Sequence, residues 1–150
     1  MNVLVTGGSR GIGREIVLRF VREGWGVAFS YAGNEAAANE TIALARDIDA
    51  GRVVKAYKLN LCDRAAIERT SEQVLTDFDE MHALVNNAAI VRNNAAVVMS
   101  DEEWDEVLAA NLTGPFLLMR AMTMHFLSNR FGRIVNISSL AEGGCSGQAN

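Results

Sequence analysis

The chain alternates short apolar runs with longer stretches of helical periodicity along its whole length. This alternation is typical of a parallel sheet whose strands are joined by crossover helices. No linker, repeat or low-complexity tract interrupts it. We therefore predict one α/β domain with a doubly wound parallel sheet over residues 1–150. The five predicted strands lie at residues 3–5, 27–31, 53–59, 83–85 and 133–137.

Polar residues indicate where two of the predicted helices begin. Asn34 is expected to cap the alanine-rich helix that follows the second strand. Ser100 and Glu103 form a capping box, in which each side chain accepts a hydrogen bond from the backbone N–H of the other. The helix that this box opens is predicted to continue as one long element through Leu117, with Pro115 inside it.

Composition argues against several classes of protein. The 14 Lys and Arg against 18 Asp and Glu give a net charge of −4, which disfavours a general binder of nucleic-acid phosphates. No uninterrupted apolar run reaches the roughly 18–20 residues of a membrane helix, and no signal-peptide pattern occurs at the N-terminus. Two cysteines fit a reducing compartment, and the two histidines have no metal ligands at suitable spacing. We expect a cytoplasmic protein with no metal site, no nucleic-acid partner and no membrane partner.

A glycine-rich segment, residues 6–13, directly follows the first strand and opens the first helix. Gly7 permits a tight turn, Gly11 lets the backbone approach a pyrophosphate, and Gly13 lets the helix pack close to the sheet. Unpaired N–H groups at the helix N-terminus would bind the anion. Glycines also simply make turns, but this position between a strand and a helix favours dinucleotide binding.

The spacing Gly-x-x-x-Gly-x-Gly, together with three later motifs, resembles the short-chain dehydrogenase/reductase family. Residues 86–89 read Asn-Asn-Ala-Ala, where the family carries Asn-Asn-Ala-Gly after its fourth strand. Asn111 stands at the place of the family's catalytic asparagine. Residues 134–139 match the strand that ends in its catalytic serine. The motifs occur in the family's order and cover the whole chain.

The resemblance implies a Rossmann fold and a nicotinamide cofactor. A carboxylate at the end of the second strand would hold the ribose hydroxyls and repel a 2′-phosphate. No carboxylate occurs there before Glu35, whereas Arg10 and Ser30 are placed to contact such a phosphate, so we predict NADP(H). Asp63 either steadies the loop beside the adenine or caps the next helix. The predicted cofactor contacts are Gly7, Ser9, Arg10, Gly11, Ile12, Gly13, Ser30, Asn60, Leu61, Asn87 and Ala88.

The resemblance assigns catalytic roles to Asn111 and Ser139, with Ser138 as the alternative serine. Hydride transfer to a carbonyl leaves an alkoxide, which needs a hydrogen-bond donor and a proton. Pro115 offers no N–H to the carbonyl of Asn111, so that carbonyl can bind a water of a proton relay; Pro115 could also merely kink the helix. The family's Tyr-x-x-x-Lys would begin directly after Asn150, so we expect a domain that is incomplete at its C-terminal end and not a competent enzyme alone.

Within the family, residues 7–13, 101–104 and 147–150 are most similar to reductases of 3-oxoacyl-[acyl-carrier-protein] and acetoacetyl-CoA. This implies an acyl thioester substrate, carried by acyl carrier protein or coenzyme A, and a role in fatty acid or polyketide synthesis. The helix after residue 100 resembles the one used for subunit contacts, which implies a dimer or tetramer. One alternative is a sugar, alcohol or steroid dehydrogenase of the same family. Another is a truncated, non-catalytic module that binds a nucleotide or a partner.

Overall fold

The computed structural model describes residues 1–139, which contain a five-stranded sheet in which all neighbouring strands are parallel. The order across the sheet is third, second, first, fourth and fifth strand. The predicted fold class is therefore confirmed, and each predicted strand matches within one residue at either end. Residues 147–150, which carry part of the resemblance, lie outside the described residues. The strands are β1 (Asn2–Val5), β2 (Gly26–Tyr31), β3 (Val54–Lys58), β4 (Ala83–Asn86) and β5 (Arg133–Asn136).

Helices cover both faces of this sheet. The first two pack against each other on one face, and the third packs against the fifth on the other face. A π-helical turn, Ala109–Thr113, joins the fourth helix to the fifth. The helices are α1 (Gly11–Arg22), α2 (Glu35–Ile48), α3 (Arg64–Phe78), α4 (Asp101–Leu108) and α5 (Gly114–Ser128).

The sheet separates two apolar clusters, and β1 shows how its strands serve both. Val3 and Val5 belong to the cluster beneath α1 and α2, whereas Leu4 belongs to the cluster beneath α3 and α5. All three side chains are buried, because successive residues of a strand point to opposite faces and both faces are covered. The edge strand β5 differs, since all four of its residues are exposed.

The helix caps that the sequence indicates are present. The Asn34 side chain accepts a hydrogen bond from the N–H of Ala37 at 2.9 Å, and the Ser100–Glu103 capping box is complete. Of the two roles considered for Asp63, the structure shows the cap. Its carboxylate accepts a hydrogen bond at the start of α3, from the third residue after it.

The prediction of one continuous helix after Ser100 is wrong at residues 109–113. The N–H of Gly114 donates to the carbonyl of Ala109, five residues earlier, which makes the turn wider than an α-helical one. Pro115 explains why the α-helical pattern does not continue, because it has no N–H for the carbonyl of Asn111. The wide turn lets the helical path continue into α5 despite the missing donor.

By length and composition alone, the helical run 101–128 is long and apolar enough to cross a membrane. Polar residues interrupt it, so a search for an unbroken apolar run does not identify it. Helices at the core of water-soluble proteins meet the same test. Leu118 and Met122 of this run are fully buried in the cluster beneath α3 and α5. The apolar character of α5 is therefore accounted for in part by its packing on the sheet.

Candidate active site

A cleft of about 740 Å³ opens at the carboxyl edge of the sheet, beside β1 and β4. The strand order reverses between these two strands, and such a reversal point is the usual ligand position in open α/β sheets. The structure brings all eleven predicted cofactor contacts into the lining of this cleft. Asn111 and Ser139 are not among the lining residues.

Two glycines in the first turn of α1 exclude side chains for different reasons. Gly11 has φ of +56°, and no heavy atom lies within 4 Å of the place where a Cβ would stand. The backbone at Gly11 is therefore open to a ligand. At Gly13, a Cβ would overlap the carbonyl oxygen of Gly7 and lie 2.5 Å from Nδ2 of Asn87. Gly13 thus lets α1 begin directly against the turn that leaves β1.

Thr6 ties the glycine-rich loop to the segment that follows β4. Its buried hydroxyl oxygen accepts hydrogen bonds from the N–H groups of Asn87 and Ala88, both at 2.9 Å. The Asn87 side chain returns a bond, from Nδ2 to the Thr6 carbonyl at 2.8 Å. Sequence reasoning gave Thr6 no separate role, because its partners are about eighty residues away in the chain.

Ser30 anchors the same loop from the other side, at the end of β2. Its side-chain oxygen accepts a hydrogen bond from the N–H of Gly7 at 3.3 Å, and its carbonyl accepts one from the N–H of Gly8 at 2.9 Å. The residue is almost fully buried but still lines the cleft. Its contact with a 2′-phosphate stays a prediction.

Charge around the cleft is positive at the glycine-rich loop and balanced at α4. The segment 30–33, at the end of β2 and directly after it, contributes no carboxylate to the lining. The exposed Arg10 guanidinium forms no hydrogen bond or ion pair with any residue in the range 1–139. Glu106 also lines the cleft, and it is paired with Arg92 at 2.6 Å. Arg10 is therefore the lining cation available to a negatively charged ligand.

Residues after β3 form another wall of the cleft. Leu59 and Leu61 give it apolar surface, and the side-chain oxygen of Asn60 accepts a hydrogen bond from the N–H of Cys62 at 3.0 Å. Burial raises the pKa of the Cys62 thiol, and the nearby Glu106 carboxylate raises it further. The thiol is therefore protonated near neutral pH.

The two predicted catalytic residues lie beyond this cleft. Asn111 belongs to the π-helical turn, and its side chain is hydrogen-bonded to the backbone of Ile90, which lines the cleft. Ser138 and Ser139 follow β5 and are exposed. They share the carboxyl edge of the sheet with the cleft, because β5 is parallel to β4.

The side chain of Asn86 links β4 to β5, the two strands that precede Asn87 and Ser138. Its Nδ2 donates to Oδ1 of Asn136 across the β4–β5 pair at 2.8 Å. Asn86 thus joins neighbouring strands through its side chain. Its own Oδ1 is buried and has no hydrogen-bond partner within the part of the chain that the structure describes.

Comparison with known proteins places these features in a family. A family model described as short chain dehydrogenase matches residues 1–148. The chain is 39% identical over 151 residues to the 3-oxoacyl-[acyl-carrier-protein] reductase FabG of Staphylococcus aureus, covering 99% of this chain and 60% of that protein. It is 39% identical over 148 residues to the protein of the same name in Haemophilus influenzae, covering 98% of this chain and 59% of that one.

A solved structure supports the same relationship. A mutant short-chain dehydrogenase/reductase of Serratia marcescens matches with a TM-score of 0.88 at 30% identity. The match covers 98% of this chain and 58% of that chain. The chain thus spans about 60% of the length of the curated relatives named above.

Proposed function

The chain belongs to the short-chain dehydrogenase family of oxidoreductases, and from that premise we propose that the full-length protein reduces a 3-oxoacyl thioester to its 3-hydroxy product with NADPH. The names of its relatives support the substrate class. Within the chain, two observations support NADPH. Arg10 is the lining cation without a polar partner among the described residues, and residues 30–33 of the lining include no carboxylate.

The residues of the cleft fit a phosphorylated dinucleotide. The open backbone at Gly11, at the start of α1, suits a pyrophosphate, because unpaired N–H groups occur at a helix N-terminus. Arg10 suits the 2′-phosphate, and the segment of Asn87 and Ala88 after β4 suits a ribose. When bound, the reduced nicotinamide supplies a hydride, with its electron pair, to the carbonyl carbon of the substrate.

Two residues are proposed to take part in the reduction of the substrate carbonyl. Ser139 donates a hydrogen bond to the substrate oxygen, on which negative charge develops. The backbone carbonyl of Asn111 holds a water of the proton relay, since Pro115 supplies no N–H to that carbonyl. Tyr31 and Tyr57 are not followed by lysine four residues later, so the proposal assigns no proton donor within the 150 residues.

We also propose a cytoplasmic dimer or tetramer that uses α4 and α5 as its contact surface. Several large apolar side chains of this region are exposed in the isolated chain. Exposed apolar side chains in one region of the surface favour a protein partner. The most exposed are Leu112, Phe116, Met124 and Leu127, with 52–69% of their surface accessible.

A substrate panel tests the proposed reaction. We expect the purified full-length protein to oxidise NADPH with acetoacetyl thioesters of coenzyme A and acyl carrier protein, and to act poorly on simple ketones and sugars. Arg10→Ala should weaken NADPH binding about tenfold, as expected for the loss of one ion pair with a phosphate, and leave NADH binding nearly unchanged. Preference for NADH, or for an alcohol or sugar over the thioesters, contradicts the proposal.

A further inference from the structure

The carbonyl of Ser9, in the glycine-rich loop, is held by side chains from two helices. Arg14 of α1 donates to it from Nε at 3.2 Å and from Nη2 at 2.8 Å. The hydroxyl of Thr41, in α2, lies 3.1 Å from the same oxygen. The guanidinium of Arg14 restricts the orientation of the peptide that joins Ser9 to Arg10, because a peptide group is planar and rigid. The one hydroxyl hydrogen of Thr41 is shared between the Ser9 carbonyl and the carbonyl of Ala37 at 3.0 Å.

The same guanidinium also holds the first turns of α2. Its Nη2 contacts the carbonyl of Ala37 at 3.3 Å and the carboxylate of Glu40 at 2.7 Å, and its Nε contacts the Thr41 hydroxyl at 3.0 Å. Thr41 is fully buried, and 19% of the Arg14 side chain is accessible. Arg14 therefore connects the glycine-rich loop to α2 from a mostly buried position.

These contacts join two walls of the cleft. Arg10 follows Ser9 directly on one wall, and the residues between β2 and α2, Ala32 and Gly33, form the other wall. The backbone of Arg10 and the start of α2 are thus held at a fixed separation by Arg14. A ribose 2′-phosphate is expected between these walls, because the group that recognises the ribose follows the second strand in this fold.

We propose that Arg14, supported by Thr41, is a positioning residue that sets the preference for the 2′-phosphorylated cofactor. It acts through the Ser9 carbonyl, which orients Arg10 toward the 2′-phosphate. The pyrophosphate site depends less on it, because Gly13 is fixed independently by its close packing on Gly7 and Asn87. This inference rests on the NADPH preference proposed above and names a residue that controls it.

The test compares nucleotide affinities of the full-length protein with those of Arg14→Met, which keeps an unbranched apolar stem but removes the donors of the guanidinium. Dissociation constants for NADPH and NADH are measured by nicotinamide fluorescence, and those for 2′,5′-ADP and 5′-AMP by competition. We expect the NADH-to-NADPH ratio of dissociation constants to fall about tenfold, which corresponds to one charge-assisted hydrogen bond. The ratio of the dissociation constant for 5′-AMP to that for 2′,5′-ADP should fall by a similar factor.

Matched variants separate this role from a merely structural one. Arg19→Met removes an exposed arginine of the same helix, which pairs with Glu23, and should leave both ratios unchanged. Arg14→Lys should give an intermediate ratio, because one ammonium group cannot reproduce the planar fork of donors. Thr41→Val keeps the buried shape and should lower the ratio about threefold, which also provides the test if Arg14→Met does not fold.

The outcomes distinguish this inference from the function on which it rests. If the unaltered protein prefers NADPH but Arg14→Met and Thr41→Val weaken both nucleotides equally, or neither, Arg14 has no part in the discrimination and the inference is wrong. If the unaltered protein shows no preference for NADPH, the proposed cofactor is wrong and the inference fails with it. A selective loss of NADPH and 2′,5′-ADP affinity in both variants supports it.

Discussion

Asn111 and Ile90 are joined by two reciprocal hydrogen bonds. The amide nitrogen of Asn111 donates to the carbonyl of Ile90 at 2.8 Å, and its amide oxygen accepts from the N–H of Ile90 at 2.9 Å. One side chain thus pairs with the backbone as a neighbouring strand would. The pair fixes the π-helical turn against the segment that lines the cleft after β4.

Removing the side-chain donor of Asn111 tests how much this pair of hydrogen bonds contributes to stability and turnover. In Asn111→Asp, the side chain can still accept from Ile90 but cannot donate to its carbonyl, and one carboxylate oxygen then faces that carbonyl. We expect the free energy of unfolding to fall by about 1 kcal/mol, together with a loss of turnover in the full-length protein. Urea denaturation and steady-state kinetics measure both. Asn39→Asp, the same change on the exposed surface of α2, is the control and should alter neither.

Pro115→Ala tests whether the missing N–H matters for the reaction or only for the shape of the helix. The substitution supplies a donor that can close an α-helical bond to the carbonyl of Asn111. Circular dichroism should show an intact fold, while turnover in the full-length protein falls because the carbonyl no longer holds the relay water. Unchanged turnover with an intact fold would show that Pro115 acts only on helix geometry.

Sequence signals predicted the features whose partners lie a few residues apart. The Asn34 cap and the Ser100–Glu103 box involve backbone groups three residues away, so the residue types alone identify them. The contact of Thr41 with Ser9 spans 32 residues and depends on how α2 packs against α1. Residue types carry no signal for such a contact before the helices are placed.

The π-helical turn shows an intermediate case. Pro115 predicts that one α-helical hydrogen bond is missing, and this much follows from its chemistry. A missing bond can be accommodated by a kink, by a helix end or by a wider turn. The last of these occurs at Ala109–Thr113, where the side chain of Asn111 is held by the distant Ile90. That contact is not apparent from the sequence.

Gly13→Ala is expected to damage the cleft and the fold together. The added methyl group would overlap the carbonyl of Gly7 and displace the Asn87 side chain, which is bonded to Thr6. Overpacking of this kind costs about 1–3 kcal/mol of unfolding free energy, and nucleotide affinity should fall with it. Thermal unfolding and nucleotide titration provide the measurements.

Gly33→Ala is the matched control for stability. No heavy atom lies within 4 Å of a Cβ built at Gly33, so the same methyl group should leave the free energy of unfolding unchanged or raise it slightly. Equal losses of stability in the two variants would show that packing at Gly13 is not the cause.

Glu103 makes the stability of α4 sensitive to acid. Its carboxylate accepts hydrogen bonds from Nδ2 of Asn94 at 2.8 and 2.9 Å and from the N–H of Ser100 at 3.1 Å. The bond from Asn94, followed by that from Ser100, lowers the pKa of Glu103 below its usual value of 4.5. The folded state therefore holds this proton less tightly than the unfolded state does.

This difference predicts a loss of stability in acid and not in base. The contribution of Glu103 is fully present above pH 4.5 and disappears as the pH falls through the lowered pKa of the folded state. In Glu103→Gln, the unfolding midpoint should be lower near neutral pH and should decline less steeply below pH 4.5. Thermal melts across this range measure the slope, with Asp105→Asn of the same helix as the control. Parallel slopes for Glu103→Gln and the unaltered protein would show that the capping box does not carry the acid response.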